Sequence, residues 1–223
     1  MRVNKLQTKY HTGSALTDQK NRIVIEHIKQ GSKVIELGCH TGELTKVLES
    51  KHCEVLGIDY DSKALEIASQ RSNGTFLNIS LDKGIPNQVN LDVDFILAID
   101  ILEHLQSPEV LLKQLSAGIN SKCKLIAVGP NIAFWRTRFA LFWGNWDYQD
   151  AGIMDRTHLH FFTKKTWIKL FEEAGFDVQF AIGINPFFPG RSLLNRISRR
   201  LTNKIEIITV KYFPTLIATQ FFT

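Results

Sequence analysis

At 223 residues, the chain is long enough for one well-packed domain and short for two. Its 44% hydrophobic and 22% charged residues exclude a disordered or fibrous polypeptide. The net charge of +5 is uneven, with Arg191, Arg196, Arg199, Arg200, Lys204 and Lys211 all lying beyond Gly190; no pattern of basic residues interleaved with exposed aromatics points to nucleic acid.

Cys39, Cys53 and Cys123 share no metal-type or redox-type spacing and read as reduced thiols of a cytoplasmic protein. The N-terminus lacks the apolar run of a signal peptide, and no stretch approaches the ~20 apolar residues that span a bilayer. Residues 1–17 carry no period and read as an arm. Asp18 caps an expected helix that stops before Gly31, completing an N-terminal arm and cap helix over 1–30.

Lys33-Val34-Ile35-Glu36-Leu37 is a β-branched run entering a glycine turn, expected as a buried strand. A helix carries Leu44, Val47 and Leu48, and a second strand runs from Glu54 to Asp59. The alternation repeats through a helix over 62–70, a strand over 75–79, a strand over 93–98, a helix over 108–119 and a strand over 124–128. Strands and helices joined by short connectors imply parallel pairing and a doubly wound α/β sheet with helices on both faces. An aromatic insert over 131–160 follows and is read as a lid. A helix over 164–174, a strand over 176–180, a basic helix near 192–203 and a closing, antiparallel strand over 216–222 complete one domain spanning 1–223. The region 190–223 is its basic helix and closing strand.

Ligands of open α/β sheets bind outside the carboxyl ends of the strands. Gly38 and Gly42 bracket the turn after the first strand, and Asp59 ends the second, where a carboxylate can accept from both hydroxyls of a ribose. A dinucleotide fingerprint needs glycines where His40 and Glu43 stand. Glu43, in the first helical turn, opposes a pyrophosphate. The expected ligand is therefore adenosyl-like and phosphate-free. S-adenosylmethionine fits, its amino group near Glu36, whereas a nicotinamide-dependent oxidoreductase is the less favoured reading.

The runs 34–42, 55–59 and 92–105 resemble motifs of class I S-adenosylmethionine-dependent methyltransferases. The segments 81–86 and 130–138 resemble the MetW-like branch, and His160-Phe161-Phe162-Thr163 with Ala174-Gly175-Phe176 is similar to small-molecule methyltransferases associated with glycans. The resemblance implies a seven-stranded Rossmann-like fold. Glu36, Gly38, His40 and Gly42 would hold the methionine moiety, Asp59 the ribose, and Tyr60, Ser80 and Leu81 the adenine end, with Asp100 also at the cofactor. Ser80 replaces an acidic residue common in the family, and His40 its central glycine.

Methyl transfer asks mainly for positioning, and for a base when the nucleophile is a hydroxyl. Glu103, His104, His158 and His160 are the candidates. Asp100, Glu103 and His104 also resemble the acidic-x-x-acidic-His arrangement that supports a metal in quinol O-methyltransferases, but no metal is assigned. Alternation through Thr157-His158-Leu159-His160 would point both imidazoles the same way. The expected activity is methyl transfer to a small-molecule or glycan acceptor, at oxygen. A MetW-like cofactor-binding partner protein is the alternative, and the basic C-terminal region could meet a membrane surface or lipid-linked substrate.

Overall fold

The computed structural model describes residues 18–223, so the arm read over 1–17 lies outside the described residues. In chain order the elements are α1 (Gln19–His27), β1 (Lys33–Leu37), α2 (Glu43–Glu49), β2 (Glu54–Asp59), α3 (Ser62–Arg71), β3 (Thr75–Asn78), β4 (Phe95–Ile99) and α4 (Pro108–Gly118). They continue with β5 (Lys124–Pro130), α5 (Trp135–Phe142), α6 (Lys164–Glu173), β6 (Ile182–Pro186), α7 (Arg191–Ile197), α8 (Arg199–Tyr212), α9 (Pro214–Ile217) and β7 (Ala218–Phe222). The seven strands hydrogen-bond in the order β3-β2-β1-β4-β5-β7-β6. Pairing of β1 with β2 and of β2 with β3 is parallel, whereas β7 runs antiparallel to both β5 and β6. This is the doubly wound, mostly parallel sheet that the alternation implies.

The chain divides into two compact units, one of residues up to Leu97 with Ile119–Leu125, the other of Ala98–Gly118 with Ile126–Thr223. In the first, Val34 to Leu37 are all buried, as expected of a parallel strand covered on both faces. Asp18 caps α1 by accepting from Lys20 N at 3.1 Å. Asp61 caps α3 by accepting from the backbone of Lys63 and Ala64. Both caps stand where the sequence changes from turn-forming to helical residues.

In the second unit, α6 opens on a capping box in which Thr163 and Thr166 each accept the other's backbone N–H. Its buried face sets Trp167 and Phe171 edge to face, with ring centroids 5.1 Å apart. The strand expected over 176–180 forms instead at Ile182–Pro186. Gly175 takes φ +95° and Phe176 N returns to Phe171 O at 3.0 Å, so the chain turns before it can extend. The antiparallel register sets Ile182 opposite Phe222 and Pro186 opposite Ala218, which fixes the position of this strand. Two other boundaries differ. Ser198 divides the basic segment into α7 and α8, ending the first through its N–H and capping the second through its hydroxyl. The closing strand begins at Ala218 because Pro214 starts the short helix α9.

Candidate functional site

The turn after β1 is built from left-handed residues, with Gly38 at φ +72°, His40 at +46° and Gly42 at +69°. Only glycine takes that region without cost, so His40 is held there by its surroundings. Gly38 N and Cys39 N both donate to Ile58 O, at 2.7 and 3.2 Å, extending the β1–β2 ladder into the turn. His40 N donates to Asp59 Oδ2 at 2.9 Å, and Asp61 N donates to Asp59 Oδ1 at 2.9 Å. The buried Asp59 carboxylate therefore fixes the glycine turn and the start of α3 together, with one lone pair on each oxygen still to offer. Gly42 is needed for packing as well as for its φ, since a Cβ there would meet Ala68 Cβ at 3.0 Å.

Glu36 lies beneath this turn, buried, and accepts from Thr45 Oγ1 at 2.5 Å. Burial raises its carboxyl to about 7, with a smaller push from the charge of Asp59, while the Thr45 bond works the other way. The neighbouring Cys39 thiol is pushed far up by burial and by both carboxylates, so it is an inert packing group. Tyr60 is 75% exposed, and Asn78 Nδ2 donates to the carbonyls of Asp59 and Tyr60 at 3.2 and 2.8 Å, which holds the following loop. Ser80 precedes a 3-10 turn over Leu81–Lys83 in which Leu81 is buried. Glu36, Gly38, His40, Gly42, Asp59, Tyr60, Ser80 and Leu81 all belong to the first unit.

Glu43 is paired with Arg71 at 3.1 Å, and Arg71 also reaches Thr41 O and Oγ1. Its charge is answered inside the fold, so it opposes a phosphate less than an isolated carboxylate would. Glu36 and Asp59 oppose a pyrophosphate instead, as two buried carboxylates beside a turn whose nearby cation, Arg71, is already engaged.

The second group of candidates lies in the other unit. Asp100, with φ +50° at the end of β4, accepts from Gln220 Nε2 at 2.7 Å. Leu102–His104 form a 3-10 turn, and the Glu103 carbonyl accepts from Leu159 N at 2.8 Å and His160 N at 3.1 Å, drawing the 155–160 segment onto it. His104 and His158 rings lie edge to face at 4.8 Å, and the Glu103 carboxylate and the two imidazoles bring their donor atoms within 4.8 Å of one another. His158 Nδ1 lies 3.0 Å from Ile153 O, a carbonyl that only accepts, so Nδ1 carries the proton and Nε2 keeps the lone pair. His104 Nδ1 is 3.2 Å from Thr157 O. Burial, then the neighbouring His104, hold the His158 imidazole below its ordinary range, with weaker opposing pulls from Ile153, Asp155 and Asp100.

His160 faces different partners: its Nε2 is 3.2 Å from Gln106 O and its ring stacks on Phe162 at 6.0 Å. Simple alternation does not apply because the segment is pinned by backbone bonds to Glu103 and is not an extended strand. Thr45, Thr157 and Asp155 carry no sequence signal that marks them for the site. Thr157 Oγ1 donates to Asp155 Oδ1 at 2.7 Å and sits 3.1 Å from His104 Nδ1, which orients that ring. Aspartate two residues before a threonine is an ordinary turn pattern, and nothing in the sequence ties it to His104.

Residues 9–179 match a family model described as a methyltransferase domain. A protein of Methanocaldococcus jannaschii named as a ribosomal RNA large subunit methyltransferase is 34% identical over 62 residues, covering 27% of this chain but only 16% of that protein. Among solved structures, the chain resembles an S-adenosylmethionine-dependent methyltransferase from Archaeoglobus fulgidus, with TM-score 0.66 and 16% identity over 97% of this chain and 95% of that one. It also resembles an S-adenosylmethionine-dependent methyltransferase from Mesorhizobium loti, with TM-score 0.59 and 14% identity over 91% and 94% of the two chains. No helix among the described residues is long and apolar enough to cross a membrane.

Proposed function

Since the chain belongs to the methyltransferase domain family, we propose that it is an enzyme that binds S-adenosylmethionine and transfers a methyl group to a hydroxyl of a small-molecule or glycan acceptor. The observation that carries this reading is the pair of buried carboxylates, Glu36 and Asp59, at the glycine turn between β1 and α2. Two carboxylates suit a cationic, phosphate-free adenosyl ligand, because burying either beside a phosphate would add repulsion to desolvation.

In this reading Glu36 receives the ligand's ammonium, whose positive charge keeps the carboxylate ionised. Asp59 accepts from the ribose hydroxyls with the lone pairs its backbone bonds leave over. Ser80, Leu81 and Tyr60 take the adenine end. S-adenosylmethionine supplies a methyl group already made electrophilic by its sulfonium. The protein's remaining tasks are to orient the acceptor and to receive a proton. His158 is the base. Neutral near pH 7 and held in one tautomer by Ile153 O, it takes the acceptor's hydroxyl proton on Nε2. His104 and Glu103 steady it. Residues 190–223 make a peripheral contact with a membrane or a lipid-linked acceptor.

Calorimetry with S-adenosylmethionine, S-adenosylhomocysteine and NADH tests the cofactor. Binding of both adenosyl compounds and not NADH is expected, and the reverse would sink the proposal. Turnover with a panel of sugars and quinols then separates an enzyme from a cofactor-binding partner protein.

A further inference from the structure

The helices of the second unit carry apolar surface that its core does not use. Helix α5 has no buried residue. Phe139, Phe142 and Trp143, spaced i, i+3 and i+4, form one aromatic knob with ring centroids 6.2 and 5.4 Å apart, and Phe142 is 79% exposed. Helix α7 also buries nothing, and its Ile197 is 72% exposed. The base of α5 is tied to the segment just before α7. Trp135 Nε1 donates to Phe187 O at 2.9 Å, and the two rings stack 10° from parallel.

Helix α8 adds charge to exposed apolar side chains. Its one buried residue is Thr202. At 3.6 residues per turn, Arg200, Lys204 and Lys211 fall within roughly 40° of one another, on the side away from Thr202. Exposed Ile207 lies on one flank of that stripe, and exposed Ile208, Leu201 and Tyr212 on the other. Cations and large apolar side chains therefore share one face. Glu206 is the only acid between residues 187 and 223, and it is bonded to Arg191. The remaining cations, Arg196 and Arg199 included, are not balanced by any acid of their own segment.

We propose that α5, α7 and α8 dock this unit on an anionic lipid bilayer, with Phe142, Trp143, Ile207 and Ile208 entering the headgroup boundary and Arg200, Lys204 and Lys211 facing the acidic lipids. The charge complementarity is that of a basic amphipathic helix lying in the interface plane. The long stems of Arg and Lys let the apolar neighbours sink while the cationic ends stay at headgroup level. Trp143 and Tyr212 are the side chains that favour this boundary. A nucleic acid would engage the cations and leave the isoleucines and the aromatic knob in water. The proposal rests on the peripheral-contact reading of residues 190–223 and is independent of methyl transfer.

The test is co-sedimentation of the full chain with phosphatidylcholine vesicles, with and without phosphatidylglycerol, at low and high salt, alongside S-adenosylmethionine calorimetry on the same preparation. The chain is expected to bind the phosphatidylglycerol vesicles and to lose binding at high salt. Replacing Arg200, Lys204 and Lys211 by glutamine should weaken partition about a hundredfold, at about fivefold per cation. Phe142→Ser with Trp143→Ser should weaken it at any salt and abolish a blue shift of tryptophan emission. All five positions are exposed, so an unchanged melting temperature confirms that each variant is folded. Failure of the intact chain to bind anionic vesicles while it still binds the cofactor would overturn the docking proposal and leave the enzyme reading standing. Binding to single-stranded RNA without vesicle binding would overturn it in favour of a nucleic-acid surface.

Discussion

Asp59 Oδ2 accepts the backbone N–H of His40 at 2.9 Å, so the carboxylate at the end of one strand holds the left-handed turn at the end of its neighbour. The side chain proposed to bind the ribose is thus also a brace for the loop that holds the rest of the ligand. Asp59→Ala is expected to weaken S-adenosylmethionine binding by about 1–3 kcal/mol, or 5–150-fold. It should also lower the melting temperature, since two backbone donors lose their partner. Asp59→Asn keeps one oxygen acceptor and should fall between. Calorimetry and thermal melts on the two variants check this; an Asp59→Ala affinity equal to that of the parent would show that the ligand lies elsewhere.

Glu36 links cofactor affinity to pH. Its carboxyl stands at about 7 in the folded chain against 4.5 in the reference state, so the folded protein binds the extra proton between those values. Stability of the ligand-free chain is therefore expected to fall as pH rises from about 4.5 to 7 and to level off above, a change on the order of 3 kcal/mol. A cationic ammonium favours the ionised carboxylate. Affinity for S-adenosylmethionine should then rise with pH up to about 7, with proton release on binding below it. Titrations in buffers of different ionisation enthalpy measure that proton, and Glu36→Gln should flatten both dependences. A parent protein whose affinity is flat from pH 5 to 7 would remove Glu36 from the ammonium site.

Much of this arrangement could be read before the fold was known, because it is local. Val34 to Leu37 form a continuously buried, β-branched-rich run that leads into a glycine turn, which marks both its type and its end. The features that escaped are pairings between distant segments. Arg71 answers the charge of Glu43 from the far end of α3, which weakens the repulsion that Glu43 alone would exert on a phosphate. The Glu103 carbonyl captures Leu159 and His160, which sends the two nearby imidazoles to different partners. Phe176 to Phe180 alternate like a strand, so the expected strand after α6 lies too early, whereas the position of β6 is set by its register against β7.

Gly129 is a packing requirement. A Cβ there would come within 2.5 Å of two ring carbons of Trp167. That ring is fully buried, donates from Nε1 to Thr223 Oγ1 at 2.9 Å, and is wedged between Phe162 and Phe171, so it has no direction in which to retreat. Gly129→Ala is expected to destabilise by about 1–3 kcal/mol, lowering the melting temperature by roughly 2–12 °C. Calorimetric melting checks it. A melting point within a degree of the parent would mean that β5 and α6 are less tightly packed than described.

His158 and His104 make separable predictions about proton transfer. A base must be unprotonated to act, so turnover should rise with pH through the His158 pKa and then level off. Because burial and His104 hold that pKa below the ordinary histidine range, the plateau should begin at lower pH than for an exposed imidazole. His158→Gln should cost about 10²–10⁴-fold in kcat and leave S-adenosylmethionine affinity intact. His104→Ala removes one of the two influences that depress His158, so the acid limb of the pH profile should move to higher pH. A purely structural pair would behave differently: both substitutions would lower melting temperature and kcat together, and the acid limb would stay where it was.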